Sequence, residues 1–247
     1  MSPERSQLLV LGLDTSTERS CVALARGSES LAGVALEPDR HRGETLADST
    51  RDLLATAGVT AAALQGIAVV VGPGSYTGLR VGLAMARGLA LVDRLPVVGL
   101  GSLELLALAA DGSDAGDRRA ALLPAGRGRV FVAAFYSKTG GVEEIAAPRV
   151  ADAAELGAVL GAGPYAGASL CVDAETVDQL GRSWLDAAAQ RVIVVPSHRA
   201  DVLARVGAAR IADGAGVEAE RVLPLYVGGS SARPNRNRVA SLGSAAK

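Results

Sequence analysis

The chain of 247 residues is long enough for one large domain or two lobes of ~120 residues each. With 25 Lys and Arg against 26 Asp and Glu it has a formal net charge of -1, which excludes a global attraction to nucleic acid or anionic membrane. Nearly half of the residues are apolar (49%) but only 3% are aromatic, so a core must be built from Ala, Val and Leu, with 30 glycines allowing close backbone contact.

The opening MSPERSQ is polar and lacks the basic-then-apolar profile of a signal peptide, and no run approaches the ~20 apolar residues of a membrane span. A cytoplasmic protein without membrane contact is expected. Leu8–Leu13 reads as a strand, followed by strands Cys21–Ala25 and Leu31–Leu36 joined by tight turns, an antiparallel meander. Glu44–Ala57 is a helix with Leu46, Leu53, Leu54 and Ala57 on one face and Gly58 as its C-terminal cap. Ile67–Val71 is a strand, Gly72–Ser75 a turn, Thr77–Val92 a helix and Pro96–Leu100 another strand.

The same order recurs in the second half. Strands at Ala120–Leu123, Val130–Tyr136 and Val142–Ala147 precede helix Ala153–Leu160, strand Ser169–Asp173, helix Thr176–Ala189 and strand Val192–Val195; a last helix covers Asp201–Ala212. Two copies of βββαβαβ predict a duplicated α/β architecture of two lobes, each with a mixed sheet flanked by helices. The expected division is an N-terminal lobe over 1–102, a C-terminal lobe over 103–200, a last helix and closing segment over 201–227 that packs on the N-terminal lobe, and a flexible tail over 228–247. Cys21 and Cys171 lie far apart in apolar runs and read as buried small hydrophobes, with neither a disulfide framework nor a metal site.

Asp14-Thr15-Ser16-Thr17 occupies the turn after the first strand, where hydroxyls and backbone N–H groups can cradle a phosphate and a carboxylate can hold a metal-bound water. The same residues could instead cap a hairpin turn. Gly72-Pro73-Gly74-Ser75-Tyr76-Thr77-Gly78-Leu79-Arg80 joins a strand to a helix. Pro fixes one backbone angle, the glycines permit positive φ, and Ser75 or Thr77 can cap a helix whose N-terminus favours anions. The stretch is neither a Walker loop nor a GxGxxG fingerprint.

Along the following helix Gly78, Gly82, Ala86 and Ala90 recur every fourth residue as a groove, with Leu79, Leu83, Met85, Leu89 and Leu91 around the remainder. So apolar a helix wants burial on two sides. One side suits its own sheet, and the groove suits a partner helix approaching over small residues; a helix sandwiched within one lobe is the alternative.

These pieces, together with Val97-Val98-Gly99-Leu100-Gly101-Ser102-Leu103 and Pro224-Leu225-Tyr226, resemble the TsaB (YeaZ) family in order and spacing, most convincingly over residues 8–108 and most specifically at Gly72–Arg80. The resemblance implies the actin-like ATPase (ASKHA) fold and a role in making N6-threonylcarbamoyladenosine beside the tRNA anticodon. It implies a non-catalytic subunit that binds and activates the catalytic subunit TsaD through the first two helices of the N-terminal lobe. The interface is then expected at Leu46, Leu53, Leu79, Arg80, Gly82, Leu83, Met85, Ala86, Leu89 and Ala90. It further implies a TsaE-type ATPase in the same assembly, a homodimer when the chain is alone, and tRNA met through the complex. Asp14–Thr17 would be a vestigial phosphate loop, with no cofactor and no catalytic residue in the chain itself.

A metal-dependent relative such as TsaD carries His-x-x-x-His at the start of its first helix. Here His41 is followed four residues later by Thr45, and the other histidine, His198, lies far along the chain, so the pair that could share one ion is absent. Pro124-Ala125-Gly126-Arg127-Gly128-Arg129 stands where relatives tend to show Asp-Ala-Arg, and Gly228 where an Arg is common. Two rival classes remain. Ser75, Asp173 and His198 fall in the order of a serine hydrolase, although Pro73 and Thr77 flank Ser75 where a nucleophile elbow wants small residues. An actin-fold ATPase would use Asp14 for its metal, but no second phosphate loop is evident in the other lobe.

Overall fold

Apolar residues on both faces of the first strand commit it to the middle of a covered sheet. In the computed structural model, which describes residues 7–38, 42–110, 116–196 and 199–228, β1 (Leu9–Asp14) pairs antiparallel with β2 (Cys21–Arg26) and parallel with β4 (Gly66–Gly72). β3 (Glu29–Ala35) extends the meander on one side and β5 (Val97–Gly101) the parallel run on the other, giving the order β3-β2-β1-β4-β5. Leu9, Leu11 and Leu13 face α1 (Arg42–Thr56) and α2 (Tyr76–Asp93), while Val10 faces the opposite layer. This is the period-2 alternation of a strand with both faces buried. Gly58, at φ 65, ends the first helix region, with Val59 N donating to Leu54 O at 2.9 Å.

The second sheet repeats the plan. β6 (Arg118–Gly126), β7 (Arg129–Lys138) and β8 (Gly141–Asp152) form the meander, and β9 (Ser169–Asp173) and β10 (Val192–Val195) the parallel run, in the order β10-β9-β6-β7-β8. The expected architecture of two mixed-sheet α/β lobes is what the chain adopts.

Three details differ from expectation. β8 continues through Pro148 to Asp152, because it is an edge strand and Pro need not donate to a ladder there. The helix expected over Thr176–Ala189 is two short helices, α5 (Ala174–Leu180) and α6 (Arg182–Ala188), broken at Gly181 with φ 85. Ser102–Ala109 forms α3, a helix that sequence periodicity hides because it is buried nearly all round. The remaining helices are α4 (Leu156–Leu160) and α7 (Ala200–Ala212).

The lobes exchange helices. α3, which follows the first sheet, packs its Leu103 and Leu106 on Ala121, Leu123, Ala133 and Phe135 of the second. α7, which follows the second sheet, lies across the first, with Leu203 and Ala208 among Val10, Ala68 and Val70. Glycine permits that contact: a Cβ on Gly12 would stand 2.6 Å from Ala200 O. Beyond α7, Val217 bridges to Val97 and residues up to Tyr226 run as a strap along the first lobe, with Leu225 N donating to Val71 O at 2.7 Å.

Candidate functional site

The strands deliver two carboxylates to the seam between the sheets. Asp14 ends β1 and Asp173 ends β9, 1% and 3% exposed respectively. Arg199, immediately before α7 and 3% exposed, binds both: Nε donates to Asp14 Oδ2 at 2.7 Å and Nη1 to Asp173 Oδ2 at 2.7 Å. The other oxygens are also occupied. Ser16 N and Oγ donate to Asp14 Oδ1 at 2.9 and 2.6 Å, and Thr176 N and Oγ1 to Asp173 Oδ1 at 2.8 and 2.6 Å.

Burial pushes the Asp173 carboxyl up, but the Arg199 charge and the Thr176 hydrogen bonds outweigh it and hold the group below the usual carboxylate value. For Arg199 burial works against the charge, and the two aspartates more than restore it, so its proton is held more tightly than in an ordinary guanidinium. The group is a buried ion triad with every carboxylate oxygen accepting a hydrogen bond. Beside it lies a shallow surface depression, too shallow to enclose a water molecule, lined by Thr17, Arg19, Asp173, Glu175 and Arg199.

The Asp14–Thr17 turn thus forms an Asx-type turn whose carboxylate is spent on Arg199. Thr15 is fully buried against Gly82 of α2, and its Oγ1 has no hydrogen-bond partner among the described residues. Asp173, which the alternative hydrolase reading would use, accepts from Thr176 and Arg199, while His198 and His41 lie outside the described residues. No group of three or more His, Cys, Asp or Glu side chains that could hold a metal occurs among the described residues.

Gly72–Arg80 builds a second feature at the start of α2. Gly72 adopts φ 118, where a Cβ would also lie 2.5 Å from Leu225 O. Gly74 lets Ser75 N reach Ser16 O at 2.7 Å, so this turn and the Asp14–Thr17 turn are stitched together. Ser75 caps the helix by accepting from Gly78 N at 3.2 Å. Outside, the Arg80 guanidinium stands 4.0 Å over the Tyr76 ring and donates to Tyr226 Oη at 3.2 Å, while the two tyrosine rings lie 5.3 Å apart.

The residues expected at a partner interface differ in their exposure. Leu46, Leu53, Leu79, Gly82, Leu83, Ala86 and Ala90 are buried within their own lobe, because the small-residue groove of α2 faces its own sheet and the Asp14–Thr17 turn. Arg80 is exposed, and Met85 and Leu89 are half-buried. The exposed residues of α2 are Tyr76, Thr77, Arg80, Ala84, Gly88, Leu91, Val92 and Asp93. Four-residue spacing of small side chains reveals a close contact but not its identity. Arg199 carried no sequence signal: its partners are 185 and 26 residues away.

Two sheets of equivalent strand order, exchanging helices across a shared seam, define an actin-like α/β protein. A family model described as TsaD: tRNA N6-adenosine threonylcarbamoyltransferase matches residues 36–181. The chain belongs to that family, and within it to the TsaB (YeaZ) proteins. It is 32% identical over 133 residues to the tRNA threonylcarbamoyladenosine biosynthesis protein TsaB of Escherichia coli (strain K12), across 54% of this chain and 57% of that protein. The TsaB of Bacillus subtilis (strain 168) is 29% identical over 138 residues, across 56% and 59%. The match spans little more than half the length of these curated relatives. The solved structure of YeaZ from Pseudomonas aeruginosa aligns with a TM-score of 0.72 at 29% identity, covering 89% of this chain and 100% of that one.

Proposed function

We propose that the chain acts in tRNA N6-threonylcarbamoyladenosine biosynthesis as a non-catalytic subunit that docks on, and activates, a TsaD-type catalytic subunit. The observation that carries this reading is the outer face of α2. Leu91 and Val92 are 70% and 83% exposed, and beside them Ala84 and Gly88 leave a shallow track, with no atom within 4 Å of a Cβ built on Gly88. A helix with small residues at the centre and large apolar ones at the end suits close approach by a second helix. The names of the relatives supply the pathway, and commitment of both buried aspartates to Arg199 favours an accessory over a catalytic role. On this reading a TsaE-type ATPase joins the assembly, tRNA is met through the complex in the cytoplasm, and a homodimer uses the same face when TsaD is absent.

The test is tRNA threonylcarbamoylation by the cognate TsaD, with TsaE, ATP and threonylcarbamoyl adenylate, in the presence and absence of this chain. Activity that requires the chain, with none from the chain alone, is expected. Full activity without it, and no complex on a sizing column, would overturn the reading and reopen the ATPase and Ser75 hydrolase alternatives.

A further inference from the structure

ATPases of the actin-like fold seat a nucleotide and its metal ion between the lobes, against carboxylates at strand ends. The residues present do not fit such a group. Asp14 and Asp173 occupy suitable strand ends, but all four of their oxygens accept hydrogen bonds from Ser16, Thr176 or Arg199. Phosphates would have to displace a buried guanidinium, and the neighbouring depression is too shallow to enclose even a water molecule.

We infer that Arg199 is the chain's own resident cation: it takes the place of an exogenous one between Asp14 and Asp173 and ties the two lobes together. Three separated elements converge on it: the end of β1, the end of β9 and the start of α7. Its position is fixed by backbone packing as well as by charge. Ala200, the next residue, presses its carbonyl on Gly12 of β1, and Ala200 also packs among Cys21 and Ala23 of β2. The backbone that carries the guanidinium is therefore clamped to the first sheet. Two buried carboxylates without a cation between them are unfavourable, so the pairing is obligatory in the closed molecule. Lobe closure becomes a fixed property of the chain rather than a response to ligand.

The experiment uses the full chain alone, so its outcome does not depend on the docking proposal. Thermal unfolding is followed for wild type, Arg199→Ala, and the triple variant Asp14→Asn/Arg199→Met/Asp173→Asn, each with and without millimolar MgCl2, MnCl2 or Mg–ATP. Wild type is expected not to respond to metal. Arg199→Ala is expected to lose roughly 6–20 °C in Tm and to recover part of it on adding divalent metal, which now finds two unpaired carboxylates. The neutral triple variant is expected to stay close to wild type and to ignore metal. If Arg199→Ala folds only when refolded with Mn2+, the inference also stands. It is overturned if Arg199→Ala matches wild type, if its loss is insensitive to metal while the triple variant folds, if the triple variant fails to fold, or if wild type itself is stabilised by Mg–ATP.

Discussion

A side chain added at Gly82 would run into the Thr15 hydroxyl, so this position reports on the fold and not on partner binding. Gly82→Leu is expected to destabilise the chain by about 1–3 kcal/mol, measured as a lower urea midpoint at unchanged m-value. The two thiols give a second residue-scale test. Burial pushes Cys21 and Cys171 up to about 12, so both stay protonated near neutral pH. Iodoacetamide is expected to leave both unmodified in the native protein and to label both in urea, read by mass spectrometry. Labelling of native Cys21 alone would show that the seam beside Arg199 opens. At this scale the sequence was legible where a residue's role is local, as with Ser75 capping its own helix. It was silent where a role needs distant chain: nothing in the sequence marked Arg199 or paired it with Asp173, which folding brings within 2.7 Å.

Among the elements, strands were the most legible because burial on both faces writes continuous apolar runs, as in β1 and β4. Helix α3 was invisible for the related reason that a helix buried nearly all round has no polar stripe to mark its period. For α2 the helix was evident but the surroundings of its small-residue side were not, since small residues fit an internal turn as well as a partner. The outer face supplies a cleaner prediction. Gly88 is exposed in the helix interior with open space beyond it, so Gly88→Ala should raise stability by up to about 1 kcal/mol, seen in denaturant unfolding. Gly88→Glu should leave the fold intact and weaken TsaD binding at least about tenfold by titration calorimetry. Intact affinity in a folded Gly88→Glu protein would remove the outer face of α2 from the interface. The strap is held by the same helix: Arg87 donates to Ala219 O at 3.3 Å and to Val222 O at 2.8 Å. One element therefore positions both the Asp14–Thr17 turn on its inner side and the Tyr226 cluster near its start.

For the whole molecule, the ion triad makes stability depend on acid in a definite direction. The Asp173 pKa is lowered on folding from 3.8, so its contribution is fully present above that value and is lost as pH falls through the lower folded value. The urea midpoint of wild type is expected to hold from about pH 7 to 5 and to fall below about pH 4. The Asp14→Asn/Arg199→Met/Asp173→Asn variant should show a smaller fall. The duplication of lobes could be read from the order of elements. A return of the last helix to the first lobe was expected as well, but the packing of α3 on the second sheet was not, because it is written only in which apolar faces meet.

The exchange of helices has a consequence for biosynthesis. The first sheet is covered on one side by α7, a segment that the ribosome makes ~190 residues after β1. At ~5–20 residues per second, roughly 10–40 s separate the emergence of Val10 from the arrival of Leu203, which buries it. The nascent first lobe must wait with one apolar face uncovered. A fragment ending at residue 110 should be soluble only with a chaperone and should bind a hydrophobic dye, whereas the same fragment supplied with a peptide of residues 199–228 should lose that dye binding. Translation speed over the second half then sets how long the exposed face is available to other nascent chains.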